Sequence, residues 1–116
     1  MKRKAERRLS FALIWLVIML VAGISACDKT DHVPQNEVWI SGNAFSPKNM
    51  TVSKNTTVTW RNKDGEAHTV TSDTAGIFDS GTIQAGSTYT HQFTTTGTFS
   101  YHCNFHGSMT GTITVQ

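Results

Sequence analysis

The sequence predicts a single all-β domain, a sandwich or barrel of about seven short strands, placed behind an N-terminal export signal. Two observations predict this fold. From residue 27 onward the chain has 18 threonines and no leucine, a composition that favours pleated sheet and leaves little material for helices. Short runs of alternating apolar and polar residues also recur, and turn-forming clusters separate them.

The alternating runs mark the strands in order along the chain. In each run the apolar residues are two positions apart, so their side chains share one face of a strand. Turn signals lie between the runs at residues 41–43, 63–65, 85–87 and 96–97. The apolar pairs and triplets are Val38 and Ile40; Val58 and Trp60; Tyr89 and Phe93; Phe99, Tyr101 and Cys103; Ile113 and Val115.

The first 26 residues have the order of a secretory signal. Basic residues within positions 2–8 precede twelve apolar residues, Phe11 to Ala22, and small residues follow before Cys27. Twelve apolar residues are fewer than the roughly 18–20 that span a bilayer comfortably. A cleaved signal is therefore favoured over an uncleaved membrane anchor, and both interpretations place the remaining chain outside the cytoplasm.

The end of this segment, Ile24-Ser25-Ala26-Cys27, resembles the bacterial lipobox. The resemblance implies that residues 1–26 are a lipoprotein signal peptide and that Cys27 is lipidated, since several acyl chains hold a protein stably on a membrane. An alternative is a disulfide between Cys27 and Cys103, which an exported chain with two cysteines permits. Cys103 has a better use as a metal ligand.

Residues 27–36 are polar, contain Pro34 and show no apolar period, so we interpret them as a lipidated tether before a domain at 37–116. Without residues 1–26 the chain has five basic and seven acidic residues, a net charge of −2. This balance gives no indication of nucleic-acid binding. In a Gram-negative envelope, Asp28 directly after a lipidated cysteine implies retention at the inner membrane.

Near the C-terminus, Cys103, His106 and Met109 follow one another at three-residue intervals, on a predicted loop between two strands. A thiolate, an imidazole and a thioether suit a soft or borderline metal. Zinc takes cysteine, histidine and carboxylate ligands, so Met109 favours copper over a structural zinc module. A blue-copper electron-transfer site needs a second histidine, and His68, at the start of a predicted strand, is the candidate. We expect His91 to be a packing residue and His102 to point to solvent.

The segment from Gly97 to Val115, GTFSYHCNFHGSMTGTITV, resembles the signature of the plastocyanin-like cupredoxins. Residues 62–70, NKDGEAHTV, and residues 45–47, FSP, resemble other parts of the same pattern, so the likeness covers roughly residues 38–116. The two residues between His106 and Met109 match the short ligand loop of amicyanin. The resemblance implies a Greek-key β-sandwich of seven to eight strands with one type 1 copper ion at one end, held by His68, Cys103, His106 and Met109.

One position departs from the family pattern. Many members carry asparagine directly after the first ligand histidine, where it fixes the ligand loop by hydrogen bonds, whereas this chain has Thr69. A single hydroxyl can replace only part of that role, so we expect a more loosely held loop. We also expect Phe45, Phe99 and Phe105 to surround the metal and exclude water.

The predicted function is single-electron transfer by Cu(I)/Cu(II) at the outer face of the cytoplasmic membrane, by a monomer whose redox partner proteins dock near His106. The alternative is a copper-trafficking or copper-storing lipoprotein with the same fold. A redox enzyme is disfavoured, because a second copper centre needs further paired histidines and the chain has five histidines in all.

Overall fold

Eight strands and no helix make up the part of the chain that the computed structural model describes, residues 33–116. Accordingly, these residues include no helix with the length and apolarity that a membrane crossing requires. The predicted signal at residues 1–26 and the lipidation site Cys27 lie outside the described residues. The strands are β1 (Glu37–Ser41), β2 (Ala44–Ser46), β3 (Asn49–Val52), β4 (Thr56–Asn62), β5 (Thr71–Ser72), β6 (Thr88–Phe93), β7 (Gly97–Cys103) and β8 (His106–Val115).

The strands form two mixed four-stranded sheets. The first has the order β2-β1-β4-β6 and the second the order β3-β8-β7-β5. β1 runs parallel to β4 and β3 parallel to β8, and the other neighbours are antiparallel. Consecutive strands from β2 to β7 alternate between the two sheets. The predicted all-β fold of seven to eight strands is confirmed.

The alternating residues of the sequence form the core between the sheets. Val38, Ile40, Val58 and Trp60 of the first sheet are fully buried, as period-two strands with one inward face require. Trp60 meets Tyr101 of the second sheet edge-on, with ring centroids 5.5 Å apart. This contact joins the two layers and places the core between β4 and β7.

The connection from β7 to β8 positions the C-terminal part of the site. Only residues 104 and 105 separate the two strands, and the predicted loop carrying His106 and Met109 is wrong, because both residues belong to β8. The register pairs His102 with Thr110 and then shifts, so that Cys103 faces His106. The shift leaves residues 107–109 between paired positions. A bulge of this kind changes the direction of side chains without ending a strand. It therefore brings His106 opposite Cys103, which the predicted loop was expected to do.

Candidate metal centre

Three of the four predicted ligands converge at one end of the sandwich. His68 forms an isolated bridge with Ile83 just before β5, Cys103 ends β7, and His106 begins β8. The Cys103 sulfur lies 3.7 Å from His68 Nδ1 and 4.0 Å from His106 Nδ1. The three donor atoms all lie within 4.8 Å of one another.

This spacing fits a single metal ion with ordinary bond lengths. Metal–nitrogen bonds of about 2.0 Å and metal–sulfur bonds of about 2.3 Å, set at trigonal angles, place nitrogen and sulfur roughly 3.7 Å apart. The observed separations of 3.7 and 4.0 Å are close to that value. Two imidazoles and one thiolate are also the equatorial donor set of a blue-copper site.

Met109, the fourth predicted ligand, is buried with 2% of its surface exposed and belongs to the hydrophobic core cluster. It stands three residues after His106 in the bulged part of β8. A thioether withdrawn from water is suited to a weak axial bond. Its role as axial ligand stays a prediction.

The environment of Cys103 favours the thiolate. Burial by itself raises the pKa of this thiol, but the Thr69 and Phe105 backbone N–H groups and the two imidazoles beside the sulfur more than offset it and bring the pKa to about 6. The Thr69 N–H lies 3.4 Å from the sulfur. Since the thiolate is the form that binds metal, the site is ready for metal near neutral pH. Within residues 33–116 Cys103 forms no disulfide.

His68 is fully buried, and its second ring nitrogen has a partner that the sequence analysis missed. Nε2 lies 2.9 Å from Oδ2 of Asp64. The sequence marked Asp64 only as part of a turn. One indication of this contact was present in the sequence. Asp64 stands four residues before the candidate ligand His68, in a turn that can bring a carboxylate close to the imidazole.

Thr69 connects the two halves of the site. Its hydroxyl oxygen accepts a hydrogen bond from the backbone N–H of Asn104 at 2.8 Å. It also lies 3.1 Å from the Thr71 hydroxyl. The segment after Cys103 is therefore tied to the segment after His68, although the chain lacks the asparagine of many cupredoxins.

His106 is the most exposed of the three converging residues, with 32% of its side chain accessible. Its Nε2 lies 4.0 Å from Oε2 of Glu66, a carboxylate that is 71% exposed. Phe105, directly before it, is 55% exposed. The site thus reaches the surface through an imidazole with one large apolar side chain and one carboxylate beside it.

The three phenylalanines that were expected to surround the metal differ in their burial and packing. Phe45 is buried and packs on Tyr101 with ring centroids 4.7 Å apart. Phe105 is mostly exposed and excludes little water by its own burial. Phe99 packs on Phe93, with ring centroids 5.3 Å apart. It stands four residues before Cys103 on β7, and each strand residue advances about 3.3 Å, so the backbone carries it well away from the sulfur. Phe99 therefore belongs to the other end of the sandwich.

The other two histidines of the strands have structural partners. His91 packs against Phe78 and Phe93, with centroid distances of 5.1 and 4.8 Å, and burial lowers its pKa. His102 lies on the outer side of β7, where Nδ1 contacts Asp73 at 2.5 Å and raises the histidine pKa. Both positions agree with the packing and solvent-facing roles expected from the sequence.

Comparison with known proteins agrees with the geometry. Residues 11–115 match the family described as "Cupredoxin-like domain". Plastocyanin from Scenedesmus fuscus is 33% identical over 84 residues, which cover 62% of this chain and 86% of that protein. The match to plastocyanin supports the resemblance to plastocyanin-like cupredoxins.

Solved structures give the same picture. A purple cupredoxin from Nitrosopumilus maritimus superposes with a TM-score of 0.65 and 28% identity, over 69% of this chain and 98% of that chain. A methionine-to-alanine mutant of amicyanin in its Cu(I) form has a TM-score of 0.65 and 27% identity, over 69% and 80% of the two chains. A Cu-containing nitrite reductase from Thermus scotoductus SA-01 has a TM-score of 0.64 and 29% identity over 69% of this chain, but the match spans only 22% of that enzyme.

Proposed function

The chain belongs to the cupredoxin-like domain family, and we propose that it is a type 1 blue-copper protein that shuttles single electrons between redox partner proteins. One observation carries the proposal. His68, Cys103 and His106 bring two imidazole nitrogens and one sulfur within 4.8 Å of one another at one end of the sandwich.

One copper ion is the cofactor of this protein. The amicyanin and nitrite reductase structures that resemble the chain are copper proteins, and the donor set here is the one that copper uses in blue-copper sites. When bound, copper supplies the one-electron Cu(II)/Cu(I) couple. His68, Cys103 and His106 would hold it, with Met109 as the weak axial ligand.

The residues around the donors support electron transfer because they hold the donors in place. His68 is hydrogen-bonded to Asp64, and the Cys103 sulfur accepts a hydrogen bond from the Thr69 N–H. Strand pairing from Gly97 to Cys103 holds the backbone on both sides of the β7–β8 connection. Copper(II) and copper(I) prefer different geometries, so donors that move little between the two states keep the reorganisation cost small.

His106 is the proposed point of electron exit. Its imidazole is 32% exposed, and the exposed Phe105 ring beside it offers apolar contact to a partner. A small docking face of this kind suits short-lived redox complexes, which fall at the low end of interface size. We propose that the protein acts as a monomeric carrier and not as an enzyme.

The alternative functions differ in stoichiometry. A carrier binds one copper ion per chain, whereas a copper-storing protein binds several. The nitrite reductase that the chain resembles is an enzyme, but the likeness covers less than a quarter of it. A copper titration of the purified protein that saturates at one ion per chain argues against storage, and saturation at two or more ions supports storage. A copper-trafficking protein would instead pass the copper ion itself to its partner.

Copper loading is the test of the proposed function. Adding Cu(II) to the purified apoprotein is expected to give an intense blue colour from charge transfer between the Cys103 thiolate and copper. Cys103→Ser should abolish the colour, and the control His102→Gln, altered next to the ligand, should keep it. A colourless wild-type protein that binds zinc in preference to copper would contradict the proposal.

We also propose that the protein is an exported lipoprotein. This rests on the signal-like residues 1–26 and the lipobox ending at Cys27. The domain then faces the periplasm or the cell exterior and is held to the membrane by residues 27–36. Metabolic labelling with palmitate in a bacterial host should label the wild type and leave Cys27→Ala unlabelled and released from the membrane fraction. Equal labelling of both would contradict lipidation at Cys27.

A further inference from the structure

The fully buried His68 ring is held between two partners on opposite sides. Nδ1 faces the Cys103 sulfur at 3.7 Å, and Nε2 lies 2.9 Å from Asp64 Oδ2. The Asp64 side chain is 18% exposed, so the contact is largely shielded from water. A carboxylate on the far nitrogen of a ligand histidine changes both the orientation and the donor strength of the ring.

Asp64 is itself fixed by a different part of the chain. Its two carboxylate oxygens accept the backbone N–H groups of Gly42 at 2.7 Å and Asn43 at 3.1 Å. These two residues form the β1–β2 turn, and both have positive φ, 61° and 55°, as a type I′ hairpin turn requires. The turn therefore presents two donors to one carboxylate and prevents it from rotating away.

A buried amide holds the backbone that carries this carboxylate. Asn62 Oδ1 accepts the N–H of Asp64 at 3.0 Å, and Asn62 Nδ2 donates to the carbonyls of Glu66 at 2.7 Å and Ile83 at 3.0 Å. Ile83 also exchanges backbone hydrogen bonds with His68. The carboxylate and the imidazole are thus anchored to the same framework, and their contact does not depend on a flexible surface side chain.

The protonation of this pair follows from its donors and acceptors. Each oxygen of Asp64 accepts one backbone N–H, from Gly42 or Asn43, which is the bonding pattern of an ionised carboxylate. A carboxylate only accepts hydrogen bonds. His68 Nε2 must then carry the hydrogen, which leaves the Nδ1 lone pair directed at the space beside the Cys103 sulfur.

We propose that Asp64 is a positioning residue for the copper site, which fixes the tautomer of His68 and lowers the reduction potential of the bound copper. The proposal builds on the electron-transfer function above. A negative charge bonded to the far side of the ring increases electron donation through Nδ1. Greater donation stabilises Cu(II), the more positive state, more than Cu(I). This effect opposes the preference for Cu(I) that an apolar site creates.

The test is the reduction potential of the copper-loaded full chain in wild-type and Asp64→Asn forms. Loss of a hydrogen-bonded partner of this kind costs about 10–100-fold in metal affinity. If that loss falls on Cu(II) alone, the tenfold case corresponds to a rise in potential of about 59 mV. The matched control is Asp79→Asn, which removes a carboxylate that accepts hydrogen bonds from Gly81 and Thr71. The control should leave the potential unchanged, and a potential unchanged in Asp64→Asn as well would overturn the proposal.

A second measurement covers the case in which Asp64→Asn fails to fold or to bind copper. In the diamagnetic Cu(I) form of the wild type, the His68 Nε2 hydrogen should give a slowly exchanging NMR signal shifted downfield by its hydrogen bond. A ring protonated at Nδ1, or an Nε2 hydrogen that exchanges freely, would overturn the proposal. A wild type without a reversible one-electron couple would instead contradict the proposed function, and the same NMR signal in the apoprotein would still decide the hydrogen bond.

Discussion

The hydroxyl of Thr69 accepts the backbone N–H of Asn104 at 2.8 Å, which joins the residue after His68 to the residue after Cys103. The two segments are 35 residues apart in the chain. The backbone of the same threonine donates to the Cys103 sulfur. Thr69 therefore holds both the sulfur and the turn that leads from β7 to β8.

Thr69→Ala removes the acceptor and leaves the Asn104 N–H without its partner. We expect the free energy of unfolding of the apoprotein to fall by about 1 kcal/mol, the usual size of such a loss. Urea unfolding followed by tryptophan fluorescence measures it. Thr90→Ala, at an exposed position of β6, is the control, and an equal loss in both variants would contradict a specific role for the Thr69 hydroxyl.

Met109→Leu tests the axial ligand. Leucine has a similar volume and preserves the packing of a side chain that is 2% exposed. We expect the blue colour to persist, since it depends on Cys103, and the reduction potential to rise, because Cu(II) loses a donor and the pocket becomes more apolar. Voltammetry measures the change. Met50→Leu in β3 is the matched control, and equal potentials in wild type and Met109→Leu would show that the thioether does not bind copper.

Glu66→Gln tests the charge beside the proposed electron exit. A charge about 8 Å from a reactant contributes roughly 0.5 kcal/mol in water, or about a twofold change in rate. Electron exchange should become about twofold slower with a small cationic oxidant and faster with an anionic one. Stopped-flow measurement of the blue colour that appears as the reduced protein is oxidised at low salt gives both rates. If Asp79→Asn had the same effect, the change would reflect net charge and not the position of Glu66.

Glu37 links β1 to β4 and makes stability depend on pH. The pKa of Glu37 is lowered mainly by the hydrogen bond that Arg61 Nε–H donates to its Oε1 at 2.6 Å. Partial burial raises this pKa, and a second hydrogen bond from Trp39 Nε1 at 2.9 Å lowers it further. Since the folded-state pKa is the lower one, this stabilisation is complete above the unfolded-state value near 4.5 and is lost as the pH falls through the folded-state value.

Glu37→Gln should therefore reduce stability at neutral pH and show a smaller further loss on acidification than the wild type. Urea midpoints measured on both sides of the unfolded-state value provide the comparison. Glu66→Gln, at a largely exposed carboxylate, is the control. Parallel pH profiles for the wild type and Glu37→Gln would contradict a role for the Glu37–Arg61 pair.

Much of the fold could be predicted because buried strands have a period of two. Val38 and Ile40, and likewise Val58 and Trp60, are buried as their alternation required. The spacing of Cys103 and His106 could be recognised locally, because the two residues flank one turn. No local spacing connects His68 to the other ligands, because 35 residues separate it from Cys103, so it could be named only from the need for a second histidine and from the family pattern.

The remaining features depend on contacts that are distant in sequence. The Asp64 carboxylate is fixed by the turn at Gly42 and Asn43, about twenty residues earlier, and no local pattern places that turn beside it. Phe99 was expected near the metal on its aromatic character alone, although its distance along β7 excludes it. The start of β8 at His106 depends on a shift in the pairing of β7 with β8, and no residue type in this segment predicts that shift.

X-ray absorption at the copper edge of the loaded protein is the most direct measurement of the central claim. We expect one short sulfur scatterer from Cys103, two nitrogen scatterers from His68 and His106, and a longer sulfur from Met109, with nearly the same shell after reduction. A copper shell made of nitrogen and oxygen scatterers without a short sulfur would contradict the account.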